Sequence, residues 1–212
     1  MDKYLKSIMD KRIVRTMENL KKNRMQAYYV ETGKQVTAQI AALMTEGETV
    51  AVGGSMTLFE TGVIDFLRSG RYHFLDRYAE NLTREQLDTI YHQSFMADTY
   101  LTSSNAITEE GELYNVDGNG NRVAAMIYGP KSVIVVAGMN KIVKDMIEAE
   151  NRLKCIAAPA NTSRLQSKTP CVETGSCQDC KSKQRICCSY TVLRQQRNDR
   201  IKVIIVGEAF GY

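Results

Sequence analysis

The chain contains no tryptophan, three prolines and two histidines in 212 residues. So little proline, with no low-complexity tract and no visible internal repeat, argues against a linker-rich, modular protein. His73 and His92 lie outside both the glycine-rich and the cysteine-rich stretches, which disfavours a Cys–His catalytic pair. No apolar run approaches the roughly 20 residues that span a bilayer. The opening MDKYLKSIMDKR is charged and amphipathic rather than signal-like, so a cytoplasmic protein is expected. The net charge of +4 is spread along the chain instead of forming a basic face, and nucleic acid is not an expected partner.

What is present is an ordinary globular composition, 43% apolar and 25% charged. It predicts a single domain over 1–212, with an N-terminal helical segment over 1–46 and a cysteine-rich segment over 167–190. Apolar residues at three- and four-residue spacing from Tyr4 to Met44 predict two helices broken near Thr32-Gly33. Thr49–Val52, Tyr72–Leu75, Thr99–Thr102, Lys131–Ala137 and Ile201–Val206 read as strands, the last two buried on both faces. Helices are predicted over Met56–Leu67, Arg84–Met96 (capped by Thr83), Arg122–Tyr128 and Lys141–Leu153, and two short strand-like pieces over Ala106-Ile107 and Leu113–Val116. The alternation implies an α/β fold with a mostly parallel sheet and helices on both faces.

Ligands of such sheets bind beyond the carboxyl ends of the strands. That rule singles out Gly53–Thr57, Ser103–Asn105 and Ala137–Asn140. In Gly53-Gly54-Ser55-Met56-Thr57 a strand ends in two glycines and a hydroxyl residue opens the next helix, an arrangement that favours a phosphate or carboxylate. It lacks both the Walker lysine and the full Gly-x-Gly-x-x-Gly pattern, and a plain compact turn explains it equally well.

The stretch from Thr102 to Pro130 is similar to a run found in the phosphosugar-isomerase, ribose-phosphate-isomerase and CoA-transferase superfamily. More closely, the chain resembles the LUD-domain family of lactate-utilisation proteins. The resemblance rests on Gly53-Gly54-Ser55-x-Thr57-Leu58, Thr102–Ile107, Gly111-Glu112-Leu113, Asp117–Arg122 and Gly138-Met139-Asn140-Lys141, and runs from about Lys34 to Tyr212. It implies a NagB/RpiA/CoA transferase-like fold and a small anionic ligand held by Gly53, Gly54, Ser55, Thr57, Ser104, Asn105, Gly118, Gly120 and Asn121. Where isomerases of the superfamily place an acid, this chain has Asn105, and an amide does not exchange protons at neutral pH. Asn105 is expected to orient a ligand, or else to satisfy the backbone of its own turn.

Five of the six cysteines fall between Cys171 and Cys188. Thiolates are soft ligands for zinc or iron, but a zinc ribbon brings two Cys-x2-Cys knuckles and only Cys177/Cys180 forms one. An iron–sulfur cluster suits the irregular flanks at least as well, with Lys168, Lys181, Lys183 and Arg185 offsetting thiolate charge; unligated or disulfide-bonded cysteines are the alternatives. Family members with this tail share its Thr-Pro-Cys, Gly-x-Cys-x-Asp-Cys and Arg-Ile-Cys elements. The resemblance therefore implies Cys171, Cys177, Cys180 and Cys187 as ligands of a 4Fe–4S cluster, with zinc as the alternative. Cys155, beside an apolar run, is expected in the core. Asp65, Asp98, Glu60 and Glu112 are expected to be solvated.

The resemblance further implies an accessory role in oxidising lactate or a related carboxylic acid, alongside iron–sulfur protein partners and with electron transfer as the mechanism. Two other classes stay open: an isomerase or CoA-transferase-like enzyme working through a carboxylate such as Glu60, and a ligand-binding regulatory module with a structural zinc. No catalytic residue is assigned, and a homo-oligomer is admissible.

Overall fold

The computed structural model describes residues 2–212. A twenty-residue helix α1 (Lys3–Lys22) opens the chain; the Asp2 side chain accepts from the Tyr4 and Leu5 amides, and Lys21 and Lys22 complement the dipole at its far end. Arg24, in the left-handed region at φ 62°, ends it. The next residues form strand β1 (Gln26–Val30), paired in parallel with Lys202–Val206. This corrects the wholly helical reading of 1–46: two tyrosines and a valine favour a pleated edge, and a five-residue run is too short for periodicity to decide.

The chain then alternates through α2 (Val36–Ala41), β2 (Thr49–Val52), α3 (Met56–Glu60), α4 (Val63–Leu67), β3 (His73–Leu75), α5 (Arg84–Gln93) and β4 (Thr99–Thr102). Gly62 at φ 70° splits the predicted 56–67 helix into the two five-residue pieces α3 and α4. After β5 (Ala106–Thr108) and β6 (Leu113–Asp117) come α6 (Asn121–Tyr128), β7 (Ser132–Gly138) and β8 (Ile142–Val143). Then follow α7 (Met146–Arg152), a π turn over 153–157, α8 (Ala158–Arg164), α9 (Pro170–Thr174), β9 (Ser189–Leu193) and β10 (Ile201–Val206). The predicted helix from Lys141 begins only at Met146, where the Asp145 carboxylate caps it; Ile142-Val143 instead pairs with β5.

Six parallel strands form the main sheet in the order β1-β10-β7-β4-β2-β3. The apolar run of β7 divides by alternation. Val133, Val135 and Ala137 join Val203, Ile205, Ile13 and Leu20 on one face, while Ile134 and Val136 join Ile204, Val206, Val36, Ile40 and Leu58 on the other. Each of these valines, isoleucines and leucines contributes roughly 1.5–3 kcal/mol of transfer free energy, and covering both faces explains why β7 and β10 carry almost no polar residue.

A smaller sheet, β8-β5-β6-β9, stands beside the carboxyl ends of the main one, with β5/β8 parallel and the other pairs antiparallel. Its own core gathers Tyr114, Val116, Ala149, Leu153, Ala157 and Cys187. Cys155 is exposed, contrary to expectation, because the π turn rotates it away from this core. Glu112 is likewise not solvated: it is buried and paired with Arg194 at 3.0 Å. Among the described residues no helix is long and apolar enough to cross a membrane.

Candidate functional site

Where the two sheets meet, the loops after β2, β4, β6 and β7 enclose a cavity of about 310 Å³. That lies at the small end of ligand sites, which run from about 300 to 1,000 Å³, and suits a compact metabolite rather than a dinucleotide. Gly54, Ser55, Ser104, Asn105, Gly118 and Asn121 line it. The other three candidate ligand residues act from behind. A Cβ on Gly53 would sit 2.8 Å from Arg122 Cγ and 2.8 Å from Thr102 Oγ1, so the missing side chain there makes room for an arginine. Thr57 is buried under the wall, and Gly120, at φ 81°, turns the chain into α6.

Cations dominate the lining. Arg122 is 9% exposed. Its Nη1 donates to Asn115 Oδ1 (2.6 Å) and the Ser103 carbonyl (3.2 Å), and its Nη2 to the Val116 carbonyl (2.9 Å) and Asn105 Oδ1 (3.2 Å). Its Nε lies 3.3 Å from Asp117 Oδ2. Asn105 Oδ1 also accepts from the Val116 amide at 2.9 Å, so this side chain organises its own turn and Arg122. Burial lowers the Arg122 pKa against the opposing pull of Asp117. Behind it Arg152, lowered by burial to about 10, donates to the carbonyls of Asn105 (2.6 Å) and Asn140 (3.0 Å).

Lys141 is the second buried cation of the wall, 3% exposed. Its Nζ donates to Thr57 Oγ1 and to Ser103 Oγ, each at 2.9 Å, and touches hydroxyls where a structural lysine usually meets a carboxylate. Burial, reinforced by Arg152 and Arg122 and opposed by Glu60, brings its pKa down to about 7. Arg77 completes the set: its guanidinium stacks on Tyr91 (4.7 Å) and Tyr78 (5.4 Å), and its Nη2 donates to Tyr91 Oη at 2.7 Å. The segment 207–212 brings Tyr212 to the cavity. Gly211 N donates to Glu60 Oε2 (2.6 Å), Asn140 Nδ2 donates to the Gly211 carbonyl (3.0 Å), and Tyr212 lines the cavity.

Sequence reasoning placed the walls after β2 and β4, but none of Ala137–Asn140 lines the cavity, and Arg77, Arg122, Lys141 and Tyr212 were not singled out as site residues. A signal did exist for Lys141, a charged residue directly after the buried run of β7 and before Ile142-Val143.

All six cysteines are free thiols. Cys187 lines the cavity, and its thiol is pushed up to about 11 by burial, with Cys177, Cys171 and Cys188 acting in the same direction and Arg185 against. Cys171 Sγ sits 3.3 Å from the hydroxyls of both Thr162 and Thr169, and Cys177 Sγ accepts from the Asp179 amide at 3.4 Å. Among the described residues, however, no three His, Cys, Asp or Glu side chains are placed to hold one metal ion. As they stand, Cys171, Cys177, Cys180 and Cys187 do not form a ready ligand set for iron–sulfur or zinc.

No curated protein matches the chain. Among solved structures, a DUF162 family protein from Deinococcus radiodurans is similar with a TM-score of 0.53 and 16% identity, covering 95% of this chain and 98% of that one. The tetrameric eIF2B-beta2-delta2 complex from C. thermophilum matches with a TM-score of 0.44 and 16% identity, over 82% of this chain and 55% of that one. Residues 13–206 match the model of the LUD domain, and the chain belongs to the LUD-domain family.

Proposed function

We propose that the cavity binds a small carboxylate and that the chain serves as an accessory protein in the utilisation of lactate or a related carboxylic acid. One observation supports this most. Among the described residues Arg77 Nε is a buried donor with no hydrogen-bond partner, and it belongs to a residue that lines this cavity. Buried polar atoms are nearly always satisfied, so an orphaned donor in the wall marks a place shaped for a polar guest. With Arg77, Arg122, Lys141 and Arg164 against the single carboxylate of Asp117 in the lining, that guest is an anion. Arg77, held by its two tyrosines, keeps a donor free for a carboxylate oxygen.

Calorimetric titration of the full chain with lactate, pyruvate and inorganic phosphate tests the reading. A carboxylate is expected to bind, and Arg77→Gln to weaken it by roughly ten- to hundredfold, the worth of one charge-assisted hydrogen bond. Absence of binding by either carboxylate, or an unchanged affinity in Arg77→Gln, refutes it. Phosphate binding alone favours the isomerase-like alternative. That alternative is already weakened by Glu60, which is exposed, engaged by Gly211 and outside the lining.

The cysteine tail supports a second reading, a metal centre beside the cavity. It rests on the ligand set that the family resemblance implies, Cys171, Cys177, Cys180 and Cys187, and requires the tail to close further around the ion. Iron and zinc analysis of protein purified without oxygen is expected to find metal that is lost in Cys177→Ser. Metal-free wild-type protein, or full metal in the variant, removes this reading.

A further inference from the structure

We infer that the Lys141 amine, seated in the cavity wall between the Thr57 and Ser103 hydroxyls, is a nucleophile that condenses with the carbonyl of a small 2-oxo carboxylate, so that the site captures its guest as an imine. The inference rests on the carboxylate reading above and names the class of carboxylate.

The argument begins from cost. A buried ammonium is retained in folded chains when a carboxylate pairs with it. Lys141 has hydroxyls instead, with two arginines close enough to oppose its charge. A carboxylate partner holds a lysine as the ammonium, whereas a hydroxyl serves either form, accepting from the ammonium or donating to the free amine. Thr57 Oγ1 and Ser103 Oγ also lie 3.4 Å from each other, so the pair remains bonded whichever form the amine takes. The lowered pKa is consistent with this, since it leaves a large fraction of free amine at neutral pH. The lysine is part of the lining, and so are Arg77 and Ser103. A guest carrying a carboxylate for Arg77 and an adjacent carbonyl for Lys141 uses both kinds of group, and a molecule of three or four carbons suits a space of about 310 Å³.

The step balances without a co-reactant. The Nζ lone pair forms a bond to the carbonyl carbon, and a proton passes from nitrogen to the former carbonyl oxygen, with the Ser103 or Thr57 hydroxyl placed to relay it. A second proton transfer releases that oxygen as water and leaves the C=N bond. No atom is oxidised or reduced, and hydrolysis reverses the step.

The test is reductive trapping in the full, unmodified chain. Protein is incubated with pyruvate, then with sodium borohydride, and the intact mass and the modified peptide are measured. The expected result is one added group per chain, equal to pyruvate less water plus two hydrogens, mapped to Lys141. Lactate, which has no carbonyl, yields no adduct and suppresses trapping by pyruvate. Lys141→Arg and Lys141→Met abolish the adduct, while mapping in the unaltered chain keeps the result independent of how either variant folds. Calorimetric binding of pyruvate with no adduct on Lys141 overturns the inference and leaves the carboxylate reading standing; loss of both binding and trapping overturns both. Adducts spread over surface lysines at the same yield as on Lys141 also overturn it.

Discussion

Replacing Lys141 by methionine isolates the cost of the buried amine. In the folded chain this group is ionised only below about pH 7, against an ordinary value of 10.5. At roughly 1.4 kcal/mol per unit of pKa difference, that gap corresponds to on the order of 3–5 kcal/mol of stability. The sign follows from proton counting. Below about pH 7 both states carry the proton, and the fold bears the full cost of an ammonium without a carboxylate. Between about 7 and 10.5 the unfolded chain binds a proton that the folded chain has released, so stability rises with pH; above that window neither state carries it and the contribution is flat. The charged groups acting on the amine are Arg152 from α7, Arg122 from α6 and Glu60 from α3, and the two arginines outweigh the acid. Methionine is one atom shorter, fills most of the same space and removes the charge, and the Thr57 and Ser103 hydroxyls remain to bond each other. Urea unfolding of both proteins from about pH 6 to about pH 10 is the assay. Lys141→Met is expected to be more stable at the acid end by the amount above, the advantage shrinking steadily as pH rises. Titrating cysteines and tyrosines are common to both proteins and cancel in the difference. Parallel stability curves would show that the amine titrates normally and would refute the reasoning.

Further outcomes follow from other contacts. In Gly111→Ala the new Cβ would lie 2.5 Å from Leu20 N and 2.6 Å from the Asn19 carbonyl carbon, both backbone of α1, at a residue with φ 79°. A loss of roughly 2–4 kcal/mol is expected from strain and overlap together, and an unchanged urea midpoint would deny the packing of α1 on this turn. Arg122→Met strips the hydrogen-bond donor from Asn115, Val116 and Ser103 and leaves the half-buried Asp117 without its ion-pair partner. It should cost roughly 3–5 kcal/mol, read as a lowered thermal midpoint, whereas a small change would mean that this hydrogen-bond network does not hold the loop. Glu109→Gln removes the ion pairs to Arg12 and Arg15 that pin α1 to the turn after β5. A loss of about 1 kcal/mol that diminishes with added salt is expected in urea titrations, and no salt dependence would assign the anchoring to Asn19 and Asn23 instead.

Much of the fold was legible along the chain because its signals are local. The continuous β-branched runs of β7 and β10, the Thr83 cap with Gln86 behind it, and the glycines after β2 and β6 are each specified within a few residues. β1 and β9 were not, since short strands declare themselves only through partners far away in sequence. The same physics separates the two halves of the site. Its walls follow from where parallel strands end, and Gly54, Ser55, Ser104 and Asn105 are readable on that rule, whereas Gly118 and Asn121 are reached through the family resemblance. Its chemistry depends on Lys141 meeting Thr57 and Ser103, 84 and 38 residues away, and on Arg122 entering the space that Gly53 leaves open. The sequence by itself determined a doubly covered parallel sheet with loops gathered at one end, because alternation and turn residues act at short range. Tertiary structure alone decided which charged side chains lose their water and face one another, because desolvation depends on the packing of segments that no local pattern relates.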